Sequence, residues 1–411
     1  MLNNETVAEP GKGTLSFENT EIAFRNSTNT DLNRAYWLFR MININFFVKM
    51  GPPVTNFAMK IGLPIKGIIK ATIFKHFCGG ETITECDSTI KKLYNGGVGT
   101  ILDYSVEGED EEHIFDATRD EIILTIKRAS GDKAVPITVF KITGVGRFGL
   151  LEKLDAKAQL SADETAEWQK VQARVLAICT KAYESSVPIM IDAEETWIQD
   201  TIDMLALDMM RKFNKEKIIV YNTYQMYRHD KLASLKHDHA IAAKEGFVLG
   251  AKLVRGAYME KERKRAAEMN YKCLIQPNKE STDRDYDAAL HFCMDNLERI
   301  AFVAGTHNEN SCRVLADLLN EKKVSHNHPH VYFSQLLGMS DNLSFNLADA
   351  GYNVAKYVPY GPVKAVLPYL FRRAQENTAI AGQMSRELSL IIKEKKRRKV
   401  YVRMASVSTG M

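Results

Sequence analysis

Four polar side chains recur at helical spacing near the C-terminal end of the sequence. Tyr369, Arg372, Arg373 and Glu376 occupy positions i, i+3, i+4 and i+7 of the segment LPYLFRRAQEN (367–377), so a helix would carry them on one face. Two neighbouring guanidiniums can hold one carboxylate through forked, charge-assisted hydrogen bonds. A solvent-exposed ion-pair face is the alternative interpretation. If the helix covers a cavity, the stripe predicts a site for a small anionic substrate.

Polar or charged residues also end several short apolar segments earlier in the chain. In a barrel of parallel strands, the carboxyl ends of all strands meet at one mouth, where the catalytic groups of such folds lie. A single charged strand end is often a salt-bridged rim residue, whereas six of them predict a functional mouth. The six residues are Asp103, Lys141, Asp192, Asn222, Arg255 and His307.

Eight such apolar segments alternate with helix-like sequence. Ser161 and Glu164 form a capping-box pattern at the start of one of these helices. Strands that alternate with helices indicate βαβ units and a parallel sheet, and eight repeats favour an α/β fold of the TIM-like (β/α)8 barrel type. The predicted strand segments are 97–105, 134–143, 187–195, 217–224, 247–258, 300–307, 331–339 and 353–361.

The regions outside the barrel differ in character from it. The predicted division is an N-terminal helical arm at 1–96, a barrel at 97–392 that includes the last helix, and a basic C-terminal tail at 393–411. In the arm, apolar residues at helical spacing face away from Lys60, Lys66, Lys70 and Lys75. A helix of this kind either packs its apolar side on the barrel or lies on an anionic membrane surface.

Composition excludes several classes of protein. The chain has 411 residues, of which 45% are hydrophobic and 26% charged, with a formal net charge of +4; these values are typical of a globular protein and not of a nucleic-acid-binding one. We find no apolar run long enough to span a membrane and no secretory signal. The expected location is the cytoplasm, with peripheral contact at the inner face of the membrane left open. No pattern indicates an oligomeric state.

Two weaker motifs favour ordinary structure over a ligand site. Residues 144–149 match G-x-G-x-x-G, but no second strand ending in an acid follows, so we interpret them as a barrel loop. His326, His328 and His330 alternate without a nearby acid or cysteine. We therefore predict a turn there and no metal site.

Taken together, seven separated motifs resemble the FAD-dependent, monofunctional proline dehydrogenase family. The resemblance covers most of the chain from about residue 70 and implies a distorted (β/α)8 barrel whose last helix lies over the active site. It implies FAD bound without a Rossmann domain, oxidation of L-proline to Δ1-pyrroline-5-carboxylate as the first step of proline breakdown to glutamate, and transfer of electrons to a quinone. The motifs are IDAEE (191–195), YNTYQMY (221–227), KLVRGAY (252–258), GTHN (305–308), QLLGM (335–339), KYVPYGP (356–362) and YLFRRAQEN (369–377).

The resemblance assigns two groups of site residues. Asp192 matches the active-site aspartate, Lys252 matches a cationic position near flavin N5, and Glu107 would pair with the arginines. The positions matched to proline contacts are Lys141, Tyr357, Tyr369, Arg372 and Arg373. Those matched to flavin contacts are Ala193, Asn222, Lys252, Val254, Arg255, Gly256, Thr306, His307 and Glu376.

Two departures from many bacterial members concern the flavin side of this site. Lys252 stands where they have arginine and Asn222 where they have glutamine, so the hydrogen bonds near N5 should differ. Tyr357 implies a preference for proline over 4-hydroxyproline. The alternative functions are a Schiff-base aldolase with Lys141 or Lys252 as nucleophile and a non-catalytic peripheral membrane protein.

Overall fold

Eight parallel strands form a closed barrel at the centre of the molecule. The computed structural model describes residues 15–43, 51, 53, 55, 65–105, 111–376 and 385–408. Each strand pairs with its sequence neighbours, and β1 closes the barrel against β8 from Gly99↔Ala355 to Tyr104↔Tyr360. The predicted fold and all eight strand segments are confirmed. The strands are β1 Gly99–Tyr104, β2 Ile137–Phe140, β3 Ile189–Ile191, β4 Val220–Gln225, β5 Leu249–Val254, β6 Ile300–Gly305, β7 Val331–Leu336 and β8 Val354–Tyr360.

The helices surround the barrel and account for most of the remaining described residues. The predicted capping box is present, because Ser161 and the residue at N3, Glu164, cap helix α8 reciprocally. The described helices are α1 Thr20–Ala23, α2 Asn29–Ile42, α3 Lys66–Ile69, α4 Lys75–Phe77, α5 Ile83–Tyr94, α6 Glu112–Ala129, α7 Phe148–Asp155, α8 Ala162–Ser185, α9 Thr196–Phe213, α10 Lys231–Glu245, α11 Met259–Glu268, α12 Lys279–Asp295, α13 Glu309–Glu321, α14 Asp341–Asp349, α15 Val363–Glu376 and α16 Arg386–Ser408.

Alternate residues of each strand enter two different cores. On β1, Ile101 packs inside the barrel while Leu102 packs between the strands and the helices. Since both faces of such strands are buried, their sequences are nearly continuous apolar runs. The polar residues at the strand ends, such as Asp103 and Lys252, therefore lie on the inner face at the mouth of the barrel.

A separate apolar cluster joins the N-terminal helices to the last barrel helix. Phe39 of α2, Phe77 of α4 and Leu370 of α15 belong to this cluster and are almost fully buried. A π-helical turn at Lys70–Phe74 connects α3 to α4. Lys70 pairs with Glu81 at 2.9 Å, an ion pair within the predicted arm, and Lys60 lies outside the described residues.

The C-terminal basic segment is helical along its described length. Helix α16 begins at Arg386 and crosses the predicted boundary at residue 393. Arg398 donates to the carbonyl oxygens of Ser27 at 2.9 Å and Phe24 at 2.8 Å, while Lys393 donates to that of Glu18 at 2.9 Å. These bonds dock the first half of the helix on the N-terminal segment. Within the described residues, no helix combines the length and apolar character that a membrane span needs.

The two weaker sequence motifs form local structure. Residues 144–149 run from the turn after β2 into the first two residues of α7. A Cβ on Gly146 would lie 2.8 Å from a side-chain carbon of Val171, so the glycine permits close packing on α8. His326 stacks on Tyr352 with ring centroids 4.1 Å apart. The ring of His330 bonds the carbonyl oxygen of Leu297 at 2.9 Å. In the part of the chain that the structure describes, these histidines join no group of three or more potential metal ligands.

Candidate active site

A cavity of about 530 Å³ opens at the carboxyl ends of the strands, beneath helix α15. Its walls include Asp103 near the end of β1, Lys141 just after β2 and Tyr357 on β8. Helix α15 forms its roof. The helix can cover the mouth because it starts three residues after β8 ends. The mouth of the barrel, where the sequence predicts the site, therefore contains a cavity.

Most of the predicted site residues line this one cavity. They come from five strands or the loops that follow them and from α15, so residues far apart in sequence meet. The predicted residues that line it are Lys141, Asp192, Ala193, Lys252, Val254, Arg255, Gly256, Thr306, His307, Tyr357, Tyr369, Arg372, Arg373 and Glu376. Glu107 lies outside the described residues.

Lys252, Asp192 and Tyr357 form a hydrogen-bonded group at the centre of the cavity. The ammonium of Lys252 donates to the Asp192 carboxylate and to the phenol oxygen of Tyr357 at 2.6 Å. The Tyr357 hydroxyl donates to Asp192 Oδ1 at 3.1 Å. Lys252 is only 4% exposed, which is unusual for lysine and is made possible by these partners.

The Tyr357 phenol keeps its proton in this arrangement. Burial, with a further contribution from the Asp192 charge, raises the pKa of Tyr357 well above its ordinary value. A neutral phenol donates one hydrogen bond and presents an apolar ring face. The Lys252 nitrogen lies 4.7 Å from the centre of that ring, so cation and ring are held as one rigid surface.

The polar stripe of α15 lines the cavity, with Tyr369 and Arg373 buried and Glu376 at its exposed edge. Arg373 is 7% exposed and donates to Glu376 Oε1 at 2.6 Å. Its guanidinium carbon lies 5.1 Å from the ring centre of Tyr369, which orients the fork. The Tyr369 hydroxyl is buried and has no hydrogen-bond partner among the described residues, as expected of a group that serves a ligand.

Arg255 is tied to three neighbours at the edge of the cavity. Its guanidinium donates to Asp283 Oδ1 at 2.8 Å, Thr306 Oγ1 at 2.7 Å and Ser311 Oγ at 2.9 Å. The carbon of the guanidinium lies 4.3 Å above the ring of Tyr286. Three donated bonds and a stacked face leave this side chain little freedom, and it joins the loops after β5 and β6.

Gly256 follows Arg255 at a position that requires glycine. Its φ is +128°, and a Cβ there would lie 2.5 Å from ring atoms of Tyr227. A side chain would therefore both strain the backbone and displace the aromatic ring. The absence of a side chain therefore lets the Tyr227 ring pack directly against this loop.

His307 enters the cavity wall as a neutral ring. Burial lowers the pKa of His307 to about 3, helped by the positive charges of Lys356 and Arg373. Its Nε2 accepts from the backbone N–H of Leu336 at 3.4 Å. The proton therefore lies on Nδ1, which bonds Ser340 Oγ at 2.9 Å.

Glu194 lies directly behind the loop that carries Lys141. The carboxyl group accepts from the backbone N–H of Thr143 at 3.1 Å and bonds its hydroxyl. Burial raises the pKa of Glu194 to about 8, so the group is mostly protonated at neutral pH. Lys141 itself approaches Asp103 Oδ2 to 3.9 Å. Glu194 thus anchors the loop that positions one of the predicted substrate contacts.

The structure corrects the expectation for Asn222. Its amide nitrogen donates to Asp203 Oδ1 at 2.9 Å on helix α9, and the residue is not part of the cavity wall. The reason is strand geometry: Tyr221 packs inside the barrel, so its neighbour must point outward. Thr223 and Gln225 lie on the inner face and line the cavity instead.

Sequence reasoning missed several residues that line the cavity. Asp103 was identified only as a polar strand end, and Gln225 lies within a matched motif but was not singled out. Because both strands are buried almost throughout, the sequence alone does not show which of their positions point inward. The remaining lining residues that sequence analysis did not assign are Thr223, Ala257, Tyr258, Lys279, Gly305, Asn308, Ser334, Gln335 and Leu336.

Comparison with protein families gives one match to most of the chain. The model described as Proline dehydrogenase matches residues 86–386. Proline dehydrogenase 1, mitochondrial, of Dictyostelium discoideum is 32% identical over 93% of this chain and 75% of its own length. The protein of the same name from Homo sapiens is 42% identical over 61% of this chain and 42% of its own length.

A relative with a different name and two solved structures are also similar. Carbapenem antibiotics biosynthesis protein CarD of Pectobacterium carotovorum subsp. carotovorum is 34% identical over 79% of this chain and 84% of its own length. Proline utilization A (PutA) from Bdellovibrio bacteriovorus, inactivated by N-propargylglycine, superposes with a TM-score of 0.68 at 17% identity, over 91% of this chain and 38% of that one. A bifunctional PutA gives 0.63 at 20% identity, over 84% and 34%. At these identities the two structures show the shared fold, and the chain spans less than two-fifths of either.

Proposed function

Because the chain belongs to the proline dehydrogenase family, we propose that it oxidises L-proline to Δ1-pyrroline-5-carboxylate in the cavity at the barrel mouth, with FAD as cofactor and a quinone as the final electron acceptor. The observation that carries the proposal is that Arg372 and Arg373 of α15 share one cavity with Lys252, Asp192 and Tyr357. Membership of this family argues against both alternatives, the aldolase and the non-catalytic membrane protein.

Two unpartnered polar atoms on the cavity wall support a flavin as its ligand. Ser334 Oγ and Gln225 Oε1 are buried on its wall and have no hydrogen-bond partner among the described residues. Buried polar atoms of this kind are usually satisfied by a ligand or ordered water. Gly256 and Gly305 keep two strand ends free of side chains. We propose that these residues, with Lys252, hold the flavin ring.

The charge of the cavity suits anionic ligands. Six basic side chains line it, Lys141, Lys252, Arg255, Lys279, Arg372 and Arg373, against the three carboxylates Asp103, Asp192 and Glu376. The excess of positive charge favours both a substrate carboxylate and the phosphates of a dinucleotide. Asn222 is not part of this proposal, because its side chain bonds Asp203 on the outer side of the barrel.

We assign the orientation of the substrate to two sets of cavity residues, one for its carboxylate and one for its ring. Arg372 and Arg373 would hold the proline carboxylate with charge-assisted hydrogen bonds, with Lys141 near the same group. The rings of Tyr357 and Tyr369 would pack on the pyrrolidine ring, since both are buried cavity residues with neutral phenols. When bound, FAD supplies the two-electron acceptor for the hydride lost from the substrate ring.

Lys252 and Asp192 would hold the reacting region in place. The Lys252 ammonium is fixed by two hydrogen bonds, so its charge needs no rearrangement when a ligand binds. A fixed cation at this position stabilises negative charge that develops nearby. Helix α15, which roofs the cavity, would limit the access of water to the substrate.

The visible absorption spectrum of the purified protein tests this proposal. We expect a yellow protein with flavin bands that bleach when L-proline is added without oxygen and return when a quinone is added. A colourless protein that takes up no FAD would contradict the proposal. Flavin bands unaffected by proline would contradict the choice of substrate.

Tyr357 leads to an expectation about specificity. Its hydroxyl is held by Lys252 and Asp192, so the ring cannot swing aside to make room for an extra hydroxyl on the substrate. The expected kcat/KM is at least about tenfold higher for L-proline than for trans-4-hydroxy-L-proline, as for a steric cost of ~1.4 kcal/mol. Steady-state kinetics with the two amino acids measure the ratio, and equal values would remove Tyr357 as the determinant.

A further inference from the structure

Glu387, the second residue of helix α16, contacts the cavity wall from behind. Its Oε1 accepts a hydrogen bond from the backbone N–H of Ser340 at 2.6 Å. Ser340 is 7% exposed and precedes helix α14 with a φ of +51°. A buried N–H without an acceptor is costly. Glu387 therefore stabilises a strained position in the loop after β7.

Ser340 connects Glu387 to the cavity wall through His307. Its hydroxyl bonds Nδ1 of His307 at 2.9 Å, and Nε2 of the same ring accepts from the N–H of Leu336. The imidazole thus joins the loop after β6 to the end of β7. Both His307 and Leu336 line the cavity, so a displacement of Ser340 would alter the cavity wall.

The neighbouring residue docks the same helix on the adjacent loop. Arg386 pairs with Glu309 at 3.1 Å and with Glu18. Glu309 is the first residue of α13, two positions after His307. The start of α16 therefore contacts the loops after both β6 and β7, although it follows them by more than 40 residues in the sequence.

We propose that Glu387 is a positioning residue of the cofactor site, which sets the orientation of His307 through Ser340 and so strengthens FAD binding. This inference rests on the proposed function, because it takes FAD as the ligand of the cavity. It assigns a role to the C-terminal helix, which contributes none of its described side chains to the cavity wall. Burial raises the pKa of Glu387 to about 7, and either protonation state can accept the bond from Ser340.

Substitution of Glu387 tests the inference through FAD affinity. Apoprotein of each variant is titrated with FAD, and the quenching of flavin fluorescence gives Kd. We expect Glu387→Ala to raise the Kd about tenfold, because the Ser340 N–H loses its acceptor. Glu387→Gln should stay within about twofold of the parent, since the amide oxygen can accept the same bond.

Two further variants separate positioning from general stability. Glu394 lies on the same helix, is fully buried and pairs with Arg397 at 2.8 Å and Arg398 at 2.7 Å. Glu394→Ala should lower Tm but leave the FAD Kd unchanged. Ser340→Gly keeps the N–H and suits the positive φ, but it removes the bond to His307, so its FAD Kd should rise as in Glu387→Ala.

The histidine ring supplies a readout independent of the cofactor. Nitrogen NMR of the apoprotein should show His307 as the Nδ1–H tautomer in the parent and in Glu387→Gln, with a mixture of tautomers in Glu387→Ala. The inference is overturned if Glu387→Ala binds FAD as tightly as the parent, or if Glu394→Ala loses as much affinity. If the parent itself fails to bind FAD, it is the proposed function that fails.

Discussion

Neighbouring acceptors orient several basic side chains of the cavity before any ligand binds. Lys252 is held by Asp192 and Tyr357, and Arg373 by Glu376. Fixed donors of this kind lose little conformational entropy when a ligand arrives. The basic side chains of the site are therefore already oriented, and they need not rearrange to bind an anion.

Substitution of the paired arginines should weaken the binding of proline while the protein keeps its FAD. In Arg372→Lys and Arg373→Lys a single ammonium replaces a two-pronged donor, so we expect the KM for proline to rise about 10–100-fold while FAD stays bound. Steady-state kinetics and the flavin spectrum measure the two effects. Lys364→Ala, on the exposed face of the same helix, is the control and should behave like the parent. An unchanged KM in both arginine variants would show that they do not hold the carboxylate.

Glu194 should make stability depend on pH in a defined direction. Burial raises its pKa from 4.5 to about 8, so the folded protein binds this proton more tightly than the unfolded chain does. The resulting stability is fully present below about pH 4.5 and is lost as pH rises through about 8.

The isosteric variant Glu194→Gln, which cannot ionise, exposes this effect. We expect it to match the parent near pH 5 and to exceed it at pH 9, by a free energy of unfolding on the order of a few kcal/mol. Thermal or urea unfolding at the two pH values measures the difference. If the variant and the parent differ in unfolding free energy by the same amount at both pH values, Glu194 is not protonated in the folded protein.

The loops that follow the strands place these side chains, and their shape depends on particular backbone positions. The loop after β5 turns at Gly256 against the Tyr227 ring, and the loop after β7 turns at Ser340 with a φ of +51°. Positive φ values are costly for residues other than glycine. Such positions persist because the surrounding packing and hydrogen bonds compensate for the strain.

Two glycines of positive φ should therefore respond differently to alanine. Gly131 has a φ of +74° and open space around its missing Cβ, whereas a Cβ on Gly256 would meet Tyr227 at 2.5 Å. We expect Gly131→Ala to cost about 1 kcal/mol of unfolding free energy, and Gly256→Ala about 1–3 kcal/mol more because of the steric clash. Urea unfolding measures both, and equal losses would show that the loop moves away from the ring at no cost.

At the scale of the whole molecule, the cavity depends on closure of the barrel. Its wall runs from Asp103 on β1 to Glu376 at the end of α15, a span that takes in every strand. Around it, one apolar core lies inside the barrel, a second lies between strands and helices, and a third joins α2, α15 and α16. A ligand that touches so many strand ends favours the closed barrel over the unfolded chain.

FAD should therefore stabilise the entire chain. At a free concentration about 100 times its Kd, a ligand that binds only the folded state adds ~2.7 kcal/mol, which corresponds to a rise in Tm of roughly 3 °C for a chain of this size. Thermal unfolding of apoprotein with and without FAD tests this, with riboflavin at the same concentration as a control that lacks the phosphates. The absence of any shift with FAD would argue against a cofactor site in the cavity.

Local patterns in the sequence were sufficient for the architecture. The apolar segments predicted all eight strands, and the Ser161–Glu164 pair predicted the start of α8, because strand burial and helix capping depend on residues close together in the chain. The stripe of Tyr369, Arg372 and Arg373 was likewise readable, since helical spacing alone puts these residues on one face.

The tertiary structure decided which side of each element meets the cavity. Asn222 and Gln225 are polar residues of one strand that is buried on both faces, so the sequence lacks the alternation that would separate inward from outward positions. Only the pairing of β4 in the closed barrel turns Gln225 inward and Asn222 toward Asp203. The contact of Glu387 with Ser340 is equally invisible in the sequence, because it joins segments that meet only when α16 packs on the barrel. Chain order fixes neighbours along an element, whereas long-range packing sets the direction in which a buried side chain points.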